Sequence, residues 1–60
     1  PEAYMKLHHA YDTHADLIER CLKEVNLPPM PKIIWQDLDT IAVNKLNRAA
    51  AKFAKAISER

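Results

Sequence analysis

Glycine is absent from the sixty residues and cysteine occurs once. Without glycine, architectures built on glycine turns or glycine-rich phosphate loops are not expected. Cys21 has no second cysteine to pair with, which removes the disulfide staples of small secreted domains and points to a reducing, cytoplasmic compartment. No apolar run approaches the ~18 residues of a membrane span, and no signal-peptide pattern opens the chain, so no membrane partner is expected. β-Branched residues are few, and Ile33-Ile34-Trp35 is the only run of three bulky apolar residues, so strands are not expected either. A chain of this length buries only ~60% of the surface its unfolded form exposes, and ordering it costs on the order of 1.5 kcal/mol per residue. A self-sufficient enzyme is therefore not expected. The chain opens on Pro1 rather than Met, which reads as a fragment or a processed product.

Nine basic and eight acidic side chains balance almost evenly along the chain as a whole, yet they are unevenly placed. Residues 1–39 carry four basic and seven acidic side chains, a net of −3, whereas residues 40–60 carry five basic and one acidic, a net of +4. The second half suits phosphate, or the first half of the same chain.

What the sequence has in quantity is helical periodicity. Leu7, Tyr11, Ala15, Ile18, Leu22 and Val25 recur every three or four residues and predict one face of a helix from about Lys6 to Asn26. Asp12, Asp16, Glu19, Arg20 and Lys23 fall on the opposite face. Leu27-Pro28-Pro29-Met30-Pro31 ends that helix, because each proline lacks an N–H and confines the residue before it to extended conformations. A second stripe begins near Ile33 and runs through Ile34, Leu38, Ile41, Ala42, Leu46, Ala49, Ala50, Phe53 and Ile57. A short helix around Trp35 to Asp39 is the alternative start, and Pro1 to Met5 is open to assignment as a third element. The expected fold is all-α: residues 1–60 form one helical unit of two long amphipathic helices joined by a proline-rich turn. Two such stripes cannot cover each other fully, so the unit is expected to belong to a larger helical bundle or an oligomer.

Four groups of residues carry candidate chemistry. Asp37 lies three residues after Ile34 and four before Ile41, which places a carboxylate at the edge of the apolar stripe, with Asn44 one heptad on. Such a carboxylate is a candidate metal ligand, because an unpaired charge near a core is costly; the alternative is that Asp37 or Asp39 caps the second helix. His8, His9, Asp12 and His14 form a second group, in which His8 and Asp12 share a helical face at ligand-compatible spacing, although no established zinc framework surrounds them. Lys45, Arg48, Lys52 and Lys55 form a basic ribbon at steps of three, four and three, suited to phosphate or nucleic acid, but without interleaved aromatics a solvated face is the favoured reading. Cys21 falls beside Ile18 and Leu22 and reads as a small buried hydrophobe.

Pro1-Glu2-Ala3-Tyr4-Met5, the Tyr11 helix with Ile18-Glu19 and Leu22, Leu27-Pro28, and Ile33-Ile34-Trp35-Gln36-Asp37 with Ile41-Ala42 follow one another in an order that resembles a known family. It is the second half of the HD-domain phosphohydrolases, in the bacterial and phage branch of 5′-deoxynucleotidases and deoxynucleoside triphosphate hydrolases. The resemblance implies an all-α hydrolase acting on a nucleotide through a divalent metal ion held by two histidines and two aspartates. Asp37 falls on the last of those ligands, and Glu2 on the glutamate that positions or activates the attacking water. The other three ligands have no counterpart in the sixty residues. A Gly-Asp turn usual in the family between positions equivalent to Met5 and Lys6 is absent, and Asn44 stands where a glutamate is common. The resemblance therefore implies a piece of a larger enzyme, inactive by itself, whose partners are the nucleotide substrate and the remainder of its own domain or a second copy. The competing reading is a small helical interaction module that docks on a partner or on itself. A nucleic-acid binder built on the basic ribbon is the least favoured, since the first half is acidic.

Overall fold

Leu7, Ile18, Leu22 and Leu46 lose all contact with water, and the helices that carry them account for most of the chain. The computed structural model describes residues 2–59. Helix α1 spans Glu2–Glu24 and helix α2 spans Thr40–Ser58, with two short 3₁₀ helices, Met30–Lys32 and Trp35–Asp37, between them. No strand occurs among the described residues. The helix thus starts at Glu2 rather than Lys6, so residues 2–5 belong to α1 and not to a third element; Pro1 lies outside the described residues.

Helix α1 is interrupted once. His14 leaves the helical region with φ −128° and ψ 38°, which divides α1 into segments 2–13 and 15–24. Asp12, Thr13 and His14 are three consecutive residues of low helix propensity, so the break falls where intrahelical cohesion is weakest. No interruption occurs between Met5 and Lys6, where a turn is usual in the phosphohydrolases. Ala3 and Leu7 from the first segment, and Leu17, Ile18, Cys21 and Leu22 from the second, join Leu46, Ala49 and Phe53 of α2 in one core. The radius of gyration of 10.4 Å equals the value of about 10 Å expected for a compact chain of this length.

The end of α1 shows how a chain without glycine stops a helix. Asn26 adopts φ 61°, the left-handed conformation in which asparagine is the best substitute for glycine. The Asn26 N–H donates to the Lys23 carbonyl at 3.0 Å, and the Leu27 N–H reaches back to the Leu22 carbonyl at 3.0 Å. These two bonds form a Schellman motif, and Leu27 packs against the core that contains Leu22, as that motif favours.

The connection then meets a shortage of donors, because Pro28, Pro29 and Pro31 have none. The one N–H among residues 28–31, that of Met30, donates to Glu19 Oε1 at 3.0 Å. Glu19 Oε2 accepts from the Tyr11 hydroxyl at 2.9 Å, so one half-buried carboxylate joins the two segments of α1 to the connection. Met30 and Ile33 complete the core.

Helix α2 begins at Thr40, not near Ile33, because Ile33 and Ile34 are extended and Trp35–Asp37 closes its own 3₁₀ turn. The short element read as the alternative start is therefore the one present, over Trp35–Asp37. Ile34 and Ile41 leave the expected core stripe and are 57% and 66% exposed. At ~100° per residue, Ile41 lies about 110° from the direction shared by Leu46, Ala49 and Phe53. The same arithmetic puts Ile41 within about 40° of Lys45, Arg48, Lys52 and Lys55, at the head of the basic ribbon. Ile57 is 38% exposed near the end of the helix.

Candidate functional site

Asp37 and Asp39 compete for one role in the sequence, and the structure separates them. Asp39 is the N-cap of α2: its backbone is extended at φ −87° and ψ −179°, and Oδ1 accepts from the Ala42 N–H at 2.8 Å. This satisfies one of the donors that a helix start leaves without partners and places a negative charge at the positive end of the helix. Asp37 closes the preceding 3₁₀ turn through its own N–H, which donates to the Ile34 carbonyl at 2.9 Å. Its exposed carboxylate enters no hydrogen bond or ion pair among the described residues.

The Asp37 carboxylate borders a hollow of about 190 Å³ whose walls are Leu27, Ile33, Ile34 and Leu38, with Lys32 as the other charge. Glu2 lies elsewhere. It pairs with Lys6 at 3.6 Å, one turn along α1, with both side chains mostly in water. Glu2 and Lys6 form one rim of a hollow of about 340 Å³ between the start of α1 and the Asn47, Ala50, Ala51 and Ala54 side of α2. The structure therefore places the two sequence-predicted site residues on different hollows.

The histidines do not gather. His8 is exposed and stacks on Tyr4, with ring centroids 5.7 Å apart and planes 12° from parallel. His14, at the break in α1, meets Phe53 in a T-shaped contact with ring centroids 5.4 Å apart. Among the described residues no three His, Cys, Asp or Glu side chains converge as a metal site. The carboxylate of Asp37 suits a hard divalent cation by its chemistry, but one carboxylate is short of the ligand number such ions need. The described residues alone do not fit a complete metal centre.

Burial pushes the Cys21 thiol above its ordinary value of 9.0, and the nearby Glu24 carboxylate adds to the effect. A thiol held in its neutral form is a poor nucleophile, in keeping with a packing role. The Tyr11 hydroxyl is raised above 10.0, chiefly by its hydrogen bond to Glu19. Glu19 is the residue that sequence reasoning missed, since its helical position placed it on the water-facing side. The signal that could have found it is the donor shortage of the proline run eleven residues later.

In the basic ribbon, Lys52 meets Glu24 of α1 at 3.8 Å, with both side chains about half exposed. Arg48 and Lys55 are exposed and Lys45 is half-buried, none of them in an ion pair among the described residues. Among the described residues no helix is long and apolar enough to cross a membrane. None of the family models, curated proteins or solved structures compared with this chain matches it.

Proposed function

We propose that this chain is a helical segment of an HD-type, metal-dependent nucleotide phosphohydrolase, to which it contributes Asp37 as one metal ligand. The observation that supports this reading is the carboxylate of Asp37, which has no structural employment once Asp39 has taken the helix cap. It stands where the ordered motifs from Glu2 to Ala42 resemble the family's last ligand. A divalent ion in such a site activates water and polarises the phosphate; its remaining ligands lie outside the described residues. Glu2 is assigned to water positioning by the resemblance alone, since it borders a different hollow from Asp37.

The test uses the complete polypeptide, assayed for divalent-metal binding and for phosphate release from deoxynucleotides. Asp37→Ala is expected to lose both, whereas Glu2→Gln keeps the metal and loses turnover. Metal and turnover that survive Asp37→Ala refute the assignment.

A second reading, the helical interaction module, is favoured by two observations: Glu2 and Asp37 border separate hollows, and Ile34, Trp35 and Ile41 are exposed. It predicts association through that end of the molecule. A well-folded chain that stays monomeric and binds no protein partner counts against it.

A further inference from the structure

Helix α2 presents an outward face that is mostly exposed, with Lys45 half-buried and Lys52 meeting Glu24 of α1. We infer that this face is a docking surface for an acidic, amphipathic helix of a partner protein. Ile41 heads it at 66% exposure, and Lys45, Arg48, Lys52 and Lys55 follow at steps of four, three, four and three. These positions make one ribbon over four turns, about 21 Å long at ~1.5 Å per residue. Ile34 and Trp35, 57% and 48% exposed, lie in the turn that precedes the helix. Among the described residues only Lys52 is engaged, by Glu24 at 3.8 Å. The surface is thus apolar at one end and cationic along the rest.

Charge complementarity selects the occupant. The ribbon carries four basic side chains, one of them paired with Glu24, so it favours a partner with carboxylates spaced along a matching helix. An acidic helix with an apolar face also covers Ile34, Trp35 and Ile41, as helix-in-groove recognition does. A phosphate backbone leaves those three side chains in water. A second copy offers a poorer match, because the outer side of α1 mixes Asp12 and Asp16 with Arg20 and Lys23. The inference goes beyond the phosphohydrolase reading and does not require Asp37 to bind metal.

Trp35 is the only tryptophan and supplies the signal. The full chain is titrated with a synthetic helical peptide of about 15 residues, the length that matches the ribbon, with leucines on one face and glutamates elsewhere. Saturable binding with a blue shift of Trp35 emission is expected, weakening as salt rises. The triple variant Lys45→Glu, Arg48→Glu, Lys55→Glu is expected to lose on the order of hundredfold in affinity. Ile41→Ser is expected to lose about tenfold, and peptide binding that persists in excess chelator keeps this result separate from the metal-ligand test. Circular dichroism verifies that each variant keeps its helices, since none of these side chains is in the core. Equal binding of a peptide with lysine in place of glutamate, or unchanged binding by the triple variant, overturns the proposal. So does an oligothymidylate that binds through the ribbon when the acidic peptide does not, or a dimer of the chain that the same substitutions dissolve.

Discussion

Replacing Asp39 and Asp37 one at a time separates a structural carboxylate from a spare one. Asp39→Ala removes the bond from Ala42 N–H to Oδ1, 2.8 Å long, and the negative charge at the start of α2. Loss of such a cap costs about 1 kcal/mol, and loss of the charge near the helix start adds roughly 0.3–1 kcal/mol, screened by salt at this exposed position. The sum is on the order of 1.5 kcal/mol. In a domain of this size each kcal/mol lowers the melting temperature by roughly 4–8 °C, so Asp39→Ala is expected to melt about 6–12 °C early. Asp39→Asn keeps an acceptor and is expected to recover most of that loss. Asp37→Ala removes a carboxylate without partners and is expected to stay within about 0.5 kcal/mol of the parent. Thermal and urea unfolding followed by circular dichroism measure all three. If Asp37→Ala destabilises as much as Asp39→Ala, Asp37 has a structural role, and the reasoning that reserves it for a ligand fails.

Leu22→Ala, at a fully buried position, is expected to cost about 2–5 kcal/mol, enough to unfold much of a small domain at ambient temperature; a loss below about 1 kcal/mol, read by urea unfolding, would show that α1 and α2 do not share this core. The raised Tyr11 hydroxyl favours the protonated form in the folded state, so its contribution is present below pH 10.0 and is lost as pH rises through the higher folded value. Glu19→Gln is expected to move the Tyr11 titration back down, as ultraviolet absorbance reports. Cys21 is expected to react with a disulfide reagent far more slowly in the folded chain than in denaturant, and equal rates would contradict its burial.

Much of the helical plan was legible in the residues themselves. The stripe through Leu7, Ile18, Leu22 and Val25 is buried as its spacing requires, and the proline run ends α1 after the asparagine stop. The second stripe was legible only from Leu46 onward. Ile34, Leu38 and Ile41 continue its steps of three and four in sequence, yet a period of 3.6 tolerates drift, and over one turn Ile41 and Ala42 compete for the same stripe. The cap bond of Asp39 settles where the helix begins, and that choice turns Ile41 outward. The break at His14 escaped because no proline or glycine marks it. Of the candidate site, the two possible roles of Asp37 and Asp39 were visible, but which residue took which depended on a single hydrogen bond. The separation of Glu2 from Asp37 is a tertiary fact that spacing does not encode.

The stop at Asn26 bears on the denatured chain as well as on the helix it ends. Glycine would serve that left-handed position with less strain, but it would widen the range of conformations open to the unfolded polypeptide, by an amount worth roughly 0.4–1 kcal/mol. In a chain where no residue is glycine and four are proline, the disordered ensemble is narrow from end to end. Folding then has less disorder to overcome. For a unit with twelve buried apolar residues among those described, part of its stability resides in the state it leaves.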